Sequence, residues 1–311
     1  RTALAQMITH RRNPLTARVA VNHIWMRHFH VPLVETVFDF GLNGKTPTHP
    51  ELLDWLAVEF MESGWNVKHM VKLMVTSQAY LQSSLQNEQL KETDPSNRLL
   101  ARQSRFRLDA EFIRDNALAA SGLLVHQVGG PSVKPYQPAG YWENLNFPKR
   151  TYTADRGSAQ YRRGIYTHWQ RQYLHPSLAA FDAPSREQCT VERARSNTPL
   201  QALNLMNDVT YVEAGRALAD IILRDAKDDE ARLRLAAKRV LGRNPSAEEL
   251  TLLKHSLERG VASFTEDPEA ARRFLSHGDS KPQSEVPPVT RAAWAALCLN
   301  LLNLDETLNK E

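Results

Sequence analysis

From Gly129 to Pro199 prolines and glycines are frequent and helical periodicity is absent, whereas the sequence on either side is patterned for helices. That contrast restricts the fold more than any other feature. Proline lacks the N–H that a helix interior needs, and glycine raises the entropy lost on ordering. The segment therefore reads as loops with two or three short strands. Tyr161–Trp169 (YRRGIYTHW), rich in aromatic and β-branched residues, is the best strand candidate.

The flanks carry helix signals. Asn13-Pro14 has the form of a cap followed by a first-turn proline, and Val19, Ala20, Ile24 and Trp25 follow near helical spacing. Thr48-His49-Pro50-Glu51 has the form of a capping box. It precedes an apolar face of Leu52, Leu53, Leu56 and Phe60 that should stop at Gly64. Asn66 is placed to cap a helix through about Gln78, and a third runs from Leu108 to Ser121, ending at Gly122. After the irregular segment, Asn197 and Thr198 are expected to cap a core helix through Leu200, Leu203, Leu205 and Met206. Another helix should end at Gly242. Ser246-Ala247-Glu248-Glu249 opens one that should stop at Gly260. Residues Thr265 to Val289 read as an exposed loop, and a last helix after Pro287-Pro288 packs Trp294, Leu297, Leu301 and Leu302. The expected class is mainly α. A helical part (1–128), an irregular aromatic- and arginine-rich insert with a few short β-strands (129–198) and a second helical part (199–311) form one continuous domain.

Of the 311 residues, 42% are hydrophobic and 24% charged, a soluble globular balance. No run approaches the roughly 18 apolar residues of a membrane-spanning helix. The chain starts at Arg1 with no signal-peptide core, which reads as a fragment of something longer. The net charge of +4 is local, because residues 149 to 195 carry nine Lys/Arg against four acids. A local excess of that kind suits an anion-binding face. Two cysteines, Cys189 and Cys298, are too few for a disulfide scaffold; they read as free thiols, with a single disulfide between them as the alternative in an oxidising compartment.

Six of the eight tyrosines lie between Tyr136 and Tyr173, joined by Trp142 and Trp169. Aromatic rings interleaved with arginines suit acidic sugars, whose rings stack while their sulfate or carboxylate groups take guanidinium bonds. They equally suit an irregular region that needs large side chains to build a core. Tyr161, Arg163, Tyr166, Trp169 and Arg186 are the candidate ligand-binding residues. In the loop before Pro199 the charges alternate in sign, as a network pinning that loop over the following helix would. The alternative makes Asp182 and Glu187, or Glu143, the carboxylates of a glycan-acting enzyme. His23 and His28 are five residues apart, the wrong spacing for a metal pair on one helix face. No nucleotide-binding loop, GxSxG or CxxCH is present.

Six long stretches carry a specific resemblance: NPLTARVAVNHIWMRHF, THPELLDWLAVEFMESGWNVKHMVKLMVTSQAYLQSS, DPSNRLLARQSRFRLDAEFIRD, YQPAGYWENLNF, YRRGIYTHWQR and FDAPSREQCTVERARSNTPLQALNLMND. In this order they resemble the planctomycete-type domain of unknown function 1553. The family commonly has glycines after the His-Phe pair, where this chain has His30-Val31-Pro32.

The resemblance implies the C-terminal part of a longer exported protein, in the cell envelope or outside the cell. It also implies an upstream domain that often carries haem c, with no cofactor in this chain itself. It transfers no catalytic residue. The expected role is a binding or assembly module whose partners are the upstream domains and an acidic or sulfated polysaccharide. Nucleic-acid binding rests on charge alone, and an exported setting argues against it.

Overall fold

The computed structural model describes residues 1–143, 149–170, 173–282 and 285–310. Its fold is mainly α with a few short strands, as the flanking patterns imply. The chain divides into two compact units, residues 1–106 with Lys310, and Arg107–Asn309. No helix among the described residues is long and apolar enough to cross a membrane.

The first unit contains α1 (Thr2–Ile8), α2 (Thr16–Phe29), α3 (Pro50–Glu62), α4 (Val67–Val75) and α5 (Glu88–Thr93). Its core is built by Val21, Trp25 and Phe29 of α2, Leu53, Leu56 and Phe60 of α3, and Met70 and Met74 of α4. Trp25 stacks on Phe29 at 3.9 Å. Asn66 caps α4 by accepting the His69 N–H at 3.1 Å. The two other expected N-termini form differently. Asn13 accepts the Leu15 N–H at 3.0 Å, a local turn that delays α2 to Thr16. The Thr48 hydroxyl donates to the Leu33 carbonyl, so α3 starts at Pro50 without a capping box. His30 has φ +69°, a conformation that glycine adopts most readily, and its ring stacks on Phe106 at 4.8 Å.

In the second unit α6 (Ala110–Ala120) precedes the irregular segment and α7 (Pro176–Ala180) lies within it. Next come α8 (Pro199–Asn207), α9 (Val209–Asp225), α10 (Asp229–Leu241), α11 (Ala247–Glu266), α12 (Pro268–Leu275), α13 (Pro288–Leu302) and α14 (Asp305–Leu308). Two two-residue strands, β1 (Phe106–Arg107) and β2 (Asn309–Lys310), pair with each other. Helices α9 and α13 pack along one another at the centre, with α6 and α10 against α9 and with α11 and α12 against α13. Leu218, Ile222, Trp294, Leu297 and Leu301 fill the space between. A buried ion pair, Arg291 Nε to Asp220 Oδ1 at 2.8 Å, crosses the same interface.

Four sequence expectations change in this unit. Gly260 does not end α11, which runs on to Glu266, because the glycine faces Ala293 where a Cβ would stand 3.5 Å from its backbone. Residues 265–289 are not one loop, since Asp267 caps α12 by accepting the Ala270 N–H at 2.9 Å. Helix α8 is not a core helix: Leu200, Leu203 and Met206 are exposed, and only Gln201 and Leu205 are buried. Asp208 starts a fresh helix there by capping α9, and α9 takes the core position. Finally, Tyr161–Trp169 is not a strand. It forms two 3-10 turns, Gly157–Tyr161 and Gly164–Tyr166, tied by isolated bridges Val125–Arg162 and Val133–Thr167. The Arg162 carbonyl and the Gly164 N–H are engaged by α6, and the bonds to Val125 and Val133 do not extend into a ladder. The Ser246–Glu249 capping box forms as expected. Both cysteines are free thiols, Cys189 exposed and Cys298 buried.

Candidate functional site

Helix α6 holds the irregular segment through polar side chains. Arg114, buried, donates to the Arg162 carbonyl at 2.6 Å and the Gln160 carbonyl at 2.5 Å. Asp115 accepts the Gly164 N–H at 2.5 Å and the Arg163 Nε–H at 3.3 Å. Gly164 suits this close approach, because a Cβ there would stand 3.0 Å from the Glu111 backbone and force it to shift. Glu213 of α9, 1% exposed, accepts the Tyr161 hydroxyl at 2.8 Å and the Ser280 N–H at 2.6 Å. Burial first, and then Glu213, push the Tyr161 phenol well above its ordinary range, and burial pushes Tyr136 up to about 12. Both phenols stay protonated near neutral pH, Tyr161 donating to Glu213 and Tyr136 accepting the Asp279 N–H at 2.9 Å.

On this frame stand two cavities of about 290 and 590 Å3, which share Trp142, Lys149, Arg150 and Thr151. The smaller adds Gln137, Tyr141, Glu143 and Tyr152, and the larger adds Lys134, His168 and Gln170. Trp142 is buried between the rings of Tyr152 at 5.2 Å, Tyr173 at 6.1 Å and His168 at 6.4 Å. Its Nε1 has no acceptor among the described residues. Lys134 Nζ lies 5.8 Å from the Tyr152 ring centre, and Arg150 Nη1 donates to Gln170 Oε1 at 2.9 Å. The Tyr152 hydroxyl donates to the Pro135 carbonyl, fixing that ring.

The wall between these groups is extended backbone. Val133 donates to the Tyr166 carbonyl at 2.8 Å, and His168 donates to the Val133 carbonyl at 2.7 Å. Alternation along such backbone puts residues i and i+2 on one side. His168 and Gln170 accordingly line the larger cavity, while Trp169 between them packs toward the unit's core. Desolvation, then Lys134 and Arg150, hold the His168 imidazole below its ordinary range against the pull of Asp155. Near neutral pH the described residues lining the larger cavity therefore present three cations, Lys134, Lys149 and Arg150, and a neutral histidine.

Of the candidate residues, Glu143 alone lines this cleft. Tyr161 is bonded to Glu213 and Arg163 to Asp115. Tyr166 accepts the Gly129 N–H at 2.7 Å, and the Arg162 guanidinium lies 3.9 Å over its ring. Trp169 donates to the Ser185 carbonyl at 3.4 Å, and Arg186 covers its face at 3.7 Å. Asp182 Oδ2 accepts both the N–H and the hydroxyl of Ser196 at 2.7 Å, and Glu187 is exposed on the same loop. Two of the loop's cations reach α6 and its N-cap residue Asp109, where the sequence suggested a network over the helix after Pro199. Arg193 grips Glu111 through two bonds at 2.5 and 3.2 Å, and Arg195 reaches Asp109 at 3.3 Å. Arg171 and the last part of YQPAGYWENLNF lie outside the described residues.

Sequence reasoning passed over Lys134, Trp142, Lys149, Arg150, Tyr152 and His168 as a set. The available signal was the Lys149-Arg150 doublet and the period-two spacing of His168 and Gln170 around Trp169. Among the described residues no group of three or more His, Cys, Asp or Glu side chains is arranged to hold a metal ion.

No curated protein and no solved structure matches the chain. The model of one family, described as "Protein of unknown function (DUF1553)" and named PSD1, matches residues 1–257, which include every described wall of the cleft, and the chain belongs to that family.

Proposed function

We propose that this domain is a binding module of a larger exported, cytochrome-c-associated bacterial protein, and that its cleft takes an acidic or sulfated glycan. The carrying observation is the cleft itself, where Lys134, Lys149 and Arg150 stand around the rings of Trp142 and Tyr152. Rings supply stacking area and the cations supply charge-assisted bonds, which is the pairing that anionic sugars need. The exported, haem-associated setting comes from the resemblance to planctomycete-type proteins. Upstream domains would be the second partner.

Thermal unfolding against neutral, carboxylated and sulfated polysaccharides tests this reading. A ligand present at 100 times its Kd stabilises the folded state by about 2.7 kcal/mol. An acidic class should raise the midpoint by several degrees, and Lys149→Ala or Arg150→Ala should remove the rise without moving the unliganded midpoint. No rise with any acidic polysaccharide would overturn it.

A further inference from the structure

We propose that the cleft reads its ligand in two halves, an anionic sugar residue in the larger cavity and a neutral one in the smaller, so that the preferred chain alternates charged and uncharged rings. This rests on the glycan reading of the cleft and assigns the chemistry of each half.

The two cavities share a wall but not a charge pattern. The described residues lining the larger one include Lys134, Lys149, Arg150 and His168 and no carboxylate. A sulfate or carboxylate substituent there meets cations on several sides. Among the described residues the smaller cavity adds no cation to the Lys149 and Arg150 of the shared wall. It adds Glu143, whose carboxylate would repel a second anion.

Two residues that line the smaller cavity each carry a buried polar atom without a partner among the described residues, and the two atoms are of opposite kinds. Trp142 Nε1 is a buried donor without an acceptor, and Gln137 Oε1 is a buried acceptor without a donor. Leaving such groups unmet is unfavourable, and a molecule supplying both complements is selected. A sugar hydroxyl does this, since it accepts through its lone pairs and donates its proton. Adjacent hydroxyls on one uncharged ring would satisfy both atoms once the Trp142 and Gln137 side chains turn toward the cavity, with the ring face on Tyr141 or Tyr152. The carboxylate of Glu143 accepts a further hydroxyl proton. Repulsion at Glu143 and attraction at Lys134 thus act on neighbouring rings of one chain, and discrimination arises from both.

The test is calorimetric titration of the whole chain with four tetrasaccharides. κ-Carrageenan carries sulfate on alternate rings, ι-carrageenan on every ring, agarose on none, and hyaluronan carries a carboxylate on alternate rings. The κ form should bind about 10-fold tighter than the ι form although it carries half the charge, a gap of about 1.4 kcal/mol. Glu143→Gln, checked for an unchanged unfolding midpoint, should shrink that gap to about 3-fold or less. Lys149→Ala should weaken both sulfated forms. Tighter binding of κ-carrageenan or of hyaluronan identifies the anion, and either supports the two halves. An ι form as tight as the κ form, or an agarose form as tight as both, would overturn the two halves and leave acidic-glycan binding standing in the first case. Failure of every acidic tetrasaccharide and of every acidic polysaccharide would overturn both.

Discussion

His175 is 2% exposed, with Nε2 2.8 Å from the Tyr136 carbonyl and Nδ1 without a partner among the described residues. Desolvation, with Arg114 adding to it, pushes its imidazole down to about 4 against the pull of the Tyr136 carbonyl. Between about pH 6.5 and 4 the unfolded chain therefore binds a proton that the folded chain refuses. Stability is full above 6.5 and falls as pH drops through that window, by an amount on the order of 3 kcal/mol. Burial raises the carboxyls of Asp208 and Asp115, which works in the opposite direction. The difference between wild type and His175→Gln isolates the histidine. Urea unfolding at pH 7 and pH 4.5 should show a smaller loss in the variant, and equal losses would contradict the assignment. None of this was legible in the sequence, where His175 is one imidazole before a proline. Trp169 shows the same limit from the other side. Its type marked it for a ligand, but the sequence does not say which face of an extended segment turns toward solvent and which toward the core.

Secondary-structure elements were legible where a signal was local. Asn66, Ser246, Gly122 and Gly242 act within one turn of their own position, and each does what its type implies. Signals failed where a distant group competed. Thr48 is drawn off by Leu33, and the backbone of Tyr161–Trp169 is engaged at Arg162 and Gly164 by α6. Helix α8 is the sharpest case, because its apolar spacing is real yet three of its large apolar side chains face outward. Leu205→Ala should lose about 2–5 kcal/mol of stability in chemical denaturation. Leu200→Ser and Leu203→Ser should each stay within about 0.5 kcal/mol. Comparable losses at all three positions would mean that α8 buries the face the sequence suggests.

For the whole molecule, the local excess of positive charge was legible, and its use was not. Arg162, Arg193 and Arg195 turn inward to carbonyls and carboxylates and the exposed Arg163 pairs with Asp115, while Lys149 and Arg150 face the cleft beside Lys134. A formal charge count treats these two populations alike. Helix α6 divides them. Within about two turns, counting its N-cap, it presents Asp109, Glu111, Arg114 and Asp115, and these hold residues from 160 to 164 and from 193 to 195.

Those ties join positions separated by 46 to 86 residues along the chain. Closing loops of that length is entropically unfavourable until the receiving surface exists, which makes α6 a spool onto which the irregular segment is wound after the helices have docked. Native-state hydrogen exchange should then give one late-closing cooperative unit covering residues 157–196. It should open at lower free energy than α9 and α13, and Arg193→Ala should lower that opening free energy while leaving the two helices protected. A glycan held in the cleft would raise the protection of the whole unit, so ligand affinity and the order of assembly would report on the same set of knots.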